Sequence, residues 1–350
     1  MSGFPLAITA TGMVTGVGLS APASCAAIRC AIDNFQETRF MDSGGEWIMG
    51  CEVLLEQPWR GRTKLIKMAS AAIQECLSGN QQIVPQSTPL LLCLSEKDRP
   101  GRVFDDDNQF FLDLQEVLQL QFHPKSRVIA QGHVAVAVAL KHARELIQES
   151  NLPHVLIAAT DSLLVGPTLA YFEDKERLLT SQNSNGFIPG EGAAALIVEP
   201  ANARQESQLV CVGFGFGVEL AHIDSEEPLR ADGLTAAIKD SLTDAEHGES
   251  LLEFKITDIA GEQYHFKEAS LAFSRLDRTK RQEFDIWHPA DCVGEVGAVI
   301  GLVMIAVLKA ACEKAYTKGH HILAHLGNDD VKRASMIFAW RANGGGSHGE

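Results

Sequence analysis

The sequence has no surplus of basic residues: 30 Lys and Arg stand against 45 Asp and Glu, a net charge of −15. A chain that grips phosphate backbones needs cationic excess to displace counterions, so nucleic acid and anionic membrane surfaces are poor partners for it. Its eight cysteines, Cys25, Cys30, Cys51, Cys76, Cys93, Cys211, Cys292 and Cys312, include no Cys-x-x-Cys pair, and most lie inside apolar runs. That pattern argues against a disulfide scaffold or a zinc site and for reduced thiols in a cytoplasm. No basic stretch precedes the first apolar segment, which argues against a secretory leader. The longest apolar run, Val296–Leu308, has thirteen residues. A bilayer span needs about 20, so this run reads as a buried core helix and no membrane span is expected. The 30 Gly and 13 Pro are scattered rather than periodic, and no repeat marks a solenoid. No metal-ligand spacing and no cofactor motif is present, so neither is expected.

What is present is ordinary for a soluble globular protein, with 45% hydrophobic and 21% charged residues. At roughly 150 residues per domain, 350 residues make two domains or one large one. Buried strands are expected at Leu6–Val14, Leu90–Leu94, Arg127–Ala130, Val155–Thr160, Leu196–Glu199, Leu209–Gly213 and Met336–Trp340, separated by helical spacing. Lys64–Leu77 is amphipathic. Val134–Ile147 alternates Val and Ala like a strand, but its length and polar tail predict a helix packed on all sides at its start. Strands alternating with helices predict an α/β layered fold. Two features look duplicated: Gly132-His133 opens one apolar helix, and Gly294–Gly301 opens another.

The segment Asn185-Gly186-Phe187-Ile188-Pro189-Gly190-Glu191-Gly192-Ala193-Ala194-Ala195, running into an apolar strand that ends at Glu199, is the most specific string in the chain. It resembles the G-F-x-x-G-E-G-A motif of the β-ketoacyl synthases, condensing enzymes of the thiolase fold. Thr11-Gly12-Met13-Val14, the Gly213-Phe214-Gly215 stretch and Gly297-Ala298 before an apolar helix resemble further segments of that family in the same order. The resemblance implies a five-layered α-β-α-β-α architecture of two pseudo-duplicated halves, 1–200 and 201–343, with 344–350 a flexible tail. It also implies a homodimer built across strands of the first half.

The family resembles itself most in a Cys-His-His site. There a thiolate at a helix start takes the acyl group, and two histidines promote decarboxylation and hold the enolate. Carried over residue by residue, the thiol position falls on His133, with Gly132 the alternative one residue away. The first histidine falls on Asp258, in Ile256–Glu262, where Ala260 is the alternative. The second falls on Gly294, in Val293-Gly294-Glu295-Val296-Gly297-Ala298. The family's closing glycine-rich loop is missing, and Ile337–Asn343 stands in its region.

The resemblance therefore implies a fold kept without its catalytic triad: an inactive ketosynthase-like accessory or scaffold protein. Such proteins pair with an active condensing enzyme, as chain-length factors do, or sit beside type VI secretion effectors. The expected partners are a carrier protein or ketosynthase in the first setting, an effector or adaptor in the second. The alternative is an active acyltransferase of the 3-oxoacyl synthase type with rearranged residues.

Several residues carry two readings. His133 is a general base at a helix start or a hydrogen-bonded core histidine. Asp258, Glu262, His265, His288, Asp291 and Glu295 converge as an acid/base site or are solvated loop charges. Cys292 is an activated thiol or a buried structural one. Arg60, Arg62, Lys64 and Lys67 dock an acidic carrier or are a solvated face, and Asp105-Asp106-Asp107 binds a cation or is a loop.

Overall fold

The computed structural model describes residues 4–202, 207–248, 251–276 and 284–342. The tail at 344–350 lies outside the described residues. In chain order the strands are β1 (Leu6–Thr15), β2 (Gln36–Met41), β3 (Trp47–Gly50), β4 (Leu90–Leu94), β5 (Arg127–Ala130), β6 (Val155–Ser162), β7 (Glu191–Pro200), β8 (Ser207–Val218), β9 (Phe254–Thr257), β10 (Ile286–Trp287), β11 (His321–Gly327) and β12 (Lys332–Ala342). The helices are α1 (Ala21–Arg29), α2 (Gly61–Ser78), α3 (Asp107–Leu118), α4 (Ala135–Ser150), α5 (Gly166–Asp174), α6 (Asp232–Asp244), α7 (Gln263–Leu276), α8 (Ala290–Val293) and α9 (Ile300–Glu313).

Ten strands form two sets of five with one pairing scheme. In the first, β1 pairs β7 and β7 pairs β6 antiparallel, then β4 and β5 continue parallel. In the second, β8 pairs β12 and β12 pairs β11 antiparallel, then β9 and β10 continue parallel. The internal duplication thus appears as topology. The sets are not separate sheets: Leu6–Ile8 of β1 pair antiparallel with Leu209–Cys211 of β8, making one ten-stranded sheet.

Alternation along the strands sorts the layers, because successive side chains face opposite ways. Leu90, Leu92 and Leu94 pack on α2 and α3, whereas Leu91 and Cys93 face α4 and α9. In the second set Phe254 and Ile256 face the central helices, and Leu323 and Ile337 face α6 and α7. The order is helices, strands, α4 with α9, strands, helices. The expected five layers are there, with a sheet that continues around the central pair.

The central layer is built from small residues. Ala135, Val136, Ala137 and Ala139 are fully buried, which explains a helix whose sequence mimics a strand. The two helices cross so closely that a Cβ on Gly301 would lie 2.8 Å from the Val136 Cβ. On the outer face, Gly215 of β8 lets α6 approach to a distance where a Cβ would meet the Ala237 carbonyl at 1.8 Å. The aspartate run is a helix cap: Asp106 accepts from the amides of Asn108 and Gln109, and Asp107 pairs with Arg102. No helix among the described residues is long and apolar enough to cross a membrane.

Candidate functional site

The chain enters α4 through one 3₁₀ turn, Gly132–Val134, that follows β5. Gly132 has φ +60° and lies against Glu96, whose Oε1 would be 1.7 Å from a Cβ. Asn328, in the β11–β12 turn, fixes this entrance from across the molecule. Its Oδ1 accepts from the Val134 amide (3.1 Å), and its Nδ2 donates to the Gln131 carbonyl (2.9 Å).

His133 projects from this turn between two carboxylates. Its Nδ1 is 3.0 Å from Asp258 Oδ2 and its Nε2 is 3.0 Å from Glu295 Oε1. Carboxylates accept hydrogen bonds, so both ring nitrogens carry protons and the group is an imidazolium. Burial opposes that charge, but the Glu295 charge and the bonds to Asp258 and Glu295 outweigh it and hold the imidazole well above its usual pKa. Asp258 responds in kind. Burial would raise it, yet the bond to His133 keeps it below the usual carboxylate value. Both carboxylates are themselves positioned by backbone amides: Gly327 donates to Asp258 (2.8 Å) and Gly297 to Glu295 (2.7 Å).

Two arginines complete the surroundings. Arg99 makes a bidentate pair with Asp161 at 2.7 and 2.6 Å, and the same Asp161 accepts from the Ala298 amide at α9's entrance. Arg177 binds Glu262 through two 2.7 Å bonds and also Asp329 at 2.8 Å. Burial raises Glu262 despite this pairing, whereas Arg177 overcomes burial to hold Asp329 at about 2. Burial pushes the nearby His265 down to about 4. The space between these groups is a cavity of about 50 Å³, room for a few waters.

The structure brings together His133, Asp258, Glu262, His265 and Glu295 at this cavity. Gly294 contributes no side chain; it turns the backbone at φ +71° beside the carbonyl of Ile188. The neighbouring Glu295 is the residue of this segment that reaches His133. His288 and Cys292 lie elsewhere. The His288 ring meets Phe266 edge-on at 5.4 Å, and burial lowers its pKa. Cys292 is 4% exposed and burial pushes its thiol up to about 11, so it is a structural cysteine and not an activated one. Among the described residues no cysteine lines the cavity, and no group of three or more His, Cys, Asp or Glu is arranged to hold a metal ion.

Other motif residues shape the frame. Gly186, Gly190 and Gly192 approach Leu178, Val293 and Val14 so closely that a Cβ would lie within 2.8 Å of backbone atoms. Gly297, at φ +56°, lies against Asp161. Buried Glu191 is held by Lys64, by the Val53 amide and by Ser162. Two residues of the basic group on and before α2 are paired internally, Arg62 with Asp113 and Lys64 with Glu52 and Glu191, while Lys67 lies over the Trp59 ring and keeps its charge. Residues 337–342 belong to β12, and the loop bordering the cavity is the 327–331 turn instead. Glu96, Arg99, Arg177, Asn328 and Asp329 escape a reading of the sequence, because each meets its partners only across distant chain segments.

No protein-family model and no curated protein matches the chain. Solved structures do. A type II polyketide acyl-carrier protein in complex with its ketosynthase bound to the hexaketide is similar over 96% of this chain and 99% of that one, with TM-score 0.77 and 14% identity. The ishigamide ketosynthase/chain length factor matches 96% and 99% at TM-score 0.72 and 20% identity. A ketosynthase in complex with its chain length factor from Xenorhabdus doucetiae matches 96% and 98% at TM-score 0.71 and 11% identity. At such identities the likeness establishes the fold: the ketosynthase form of the thiolase-like architecture.

Proposed function

We propose that this chain is a ketosynthase-fold accessory subunit that works by binding a protein partner and does not itself carry an acyl thioester. One observation carries the reading: at the entrance of α4 both ring nitrogens of His133 lie 3.0 Å from a carboxylate, an arrangement that favours the imidazolium. A doubly protonated ring has no lone pair, so it is neither nucleophile nor general base. A cavity of about 50 Å³ is far below the ~300 Å³ at which small-molecule pockets begin. The active alternative needs a thiol, and Cys292 is buried away from the cavity.

Two of the similar structures contain a chain length factor, which favours pairing with a condensing enzyme over the secretion setting. Strand β5 offers the surface for such a pair, since one of its edges is unpaired in the sheet. A second copy of this chain is the first partner to test, by light scattering of the purified protein. Internal pairing of Arg62 and Lys64 weakens the case for direct docking of an acidic carrier on α2.

Intact-mass measurement after incubation with hexanoyl-CoA, malonyl-CoA or an acylated carrier protein tests the central statement. The expected result is unmodified protein. A stoichiometric acyl adduct on any cysteine overturns it. The chromosomal neighbourhood then separates settings: a carrier protein and an intact ketosynthase next door mean acyl-chain chemistry, whereas spike and toxin genes mean secretion.

A further inference from the structure

Among the described residues, β2 and β3 are the strands that stand outside the ten-stranded sheet, paired as a separate hairpin. It pairs Glu37 with Met49 and Met41 with Trp47, around a turn at 42–46. Together with the segment after α5 it borders a groove of about 430 Å³. Trp47, 47% exposed, and Leu179, 36% exposed, line it, and Met41, 52% exposed, stands opposite Trp47 in register. Large apolar side chains grouped in this way on a surface mark an interaction site more often than scattered ones do.

The charges at the groove have one sign. Glu37, Asp42 and Glu46 line it, and no lysine, arginine or histidine does. None of the three carboxylates has an ion-pair partner among the described residues; the Asp42 carboxylate accepts from the Glu46 amide in its own turn. The nearest basic residue along β2, Arg39, is engaged by Glu52 and by the Phe40 ring. Glu37 stands opposite Met49 at one end of the hairpin, and Asp42 and Glu46 belong to the turn at the other. The acids therefore sit at both ends of an apolar middle.

We infer that this groove binds an extended segment of a partner protein in which two basic residues flank an apolar centre. The exposed Trp47 ring serves such a guest twice: its face attracts a cation and its area buries an aliphatic side chain. The inference stands apart from the state of the α4 entrance, and its test reads neither acylation nor activity.

The probe is a fluorescein-labelled peptide, Gly-Lys-Leu-Thr-Val-Leu-Lys-Gly, titrated with the full chain and read by polarisation. Its counterpart has Glu in place of both Lys. We expect saturable binding of the lysine peptide alone, weakening several-fold when salt rises from about 50 to about 300 mM. Trp47→Ala and, separately, the triple variant Glu37→Gln, Asp42→Asn, Glu46→Gln should each weaken binding about tenfold or more. Because the whole chain is acidic, Glu226→Gln with Glu227→Gln serves as the control: these exposed acids lie outside the groove and should leave binding unchanged. Circular dichroism and melting temperature confirm that each variant folds. Equal binding by the triple variant, an equal loss in the control, or no saturable binding overturns the inference. So does a dimer of the wild-type chain that Trp47→Ala converts to monomer, since the groove then faces a second copy.

Discussion

The entrances of α4 and α9 are built alike and filled differently. Each begins with a glycine at positive φ, +60° for Gly132 and +56° for Gly297, followed by one 3₁₀ turn. Each glycine presses against a carboxylate, Glu96 in one case and Asp161 in the other. The residue that follows is His133 in the first and Ala298 in the second. Both entrances border the charged cavity and both helices then run through the apolar core, but only the α4 entrance turns a charged side chain, His133, into the cavity. The duplicated backbone supplies a strong turn twice, and the two turns contribute differently to one cavity: an imidazole from the first, and from the second a bare glycine with the carboxylate two residues before it.

That contrast breaks most visibly at Asp161. It is 1% exposed, pairs with Arg99 and caps α9, so Asp161→Ala leaves a buried guanidinium alone. We expect a loss of about 3–5 kcal/mol in urea unfolding. Next come the two glycines. Gly297→Ala sets a Cβ 2.1 Å from Asp161, which cannot move without losing Arg99, and should cost about 3 kcal/mol. Gly132→Ala meets only the end of the Glu96 side chain, which can swing into the cavity, and should cost about 1–2 kcal/mol. Equal losses would remove the distinction between a rigid entrance and a soft one.

A smaller effect is read along the pH axis. His133 titrates well above its ordinary value in the fold. Its contribution is complete below about 6.5, the unfolded value, and is lost as pH rises through the raised one. His265, near 4, and His325, near 3, behave oppositely, because burial disfavours their charged forms. Their contribution is complete above about 6.5 and is lost as pH falls toward those values. The urea midpoint should therefore decline on both sides of neutrality; His133→Gln should flatten the alkaline side, and on the acid side should remove only the part that Asp258 owes to the imidazolium, leaving the decline from His265 and His325. A His133 ring-proton resonance that titrates near 6.5 would remove the clamp from the account. The smallest effect belongs to Asp113→Asn. Its pair with Arg62 is partly exposed on both sides, so melting should reveal no more than about 0.5 kcal/mol.

The fold was legible because its signals are local. The apolar string 296–308 lies mostly in α9, Arg127–Ala130 is a strand as read, and the Gly186–Gly192 string sits where backbones crowd. The site was legible at His133 and Asp258, whose positions follow from strand ends. Gly294 itself offers no side chain, and nothing local to its string shows that the neighbouring Glu295 is the residue that reaches His133. Arg99 and Arg177 gave no signal at all. Arg99 finds Asp161 62 residues away and Arg177 finds Asp329 152 residues away, and nothing in an isolated arginine names such a partner.

The Asn328 side chain gives the α4 entrance a further property. By taking the Val134 amide it occupies the first donor that a developing oxyanion would seek there. Installing a thiol by His133→Cys would then leave the sulfur beside Asp258 and Glu295, where negative neighbours suppress ionisation. Asn328 also ties this entrance to the β11–β12 turn, so a change in that turn is transmitted to the His133 backbone without touching its side chain.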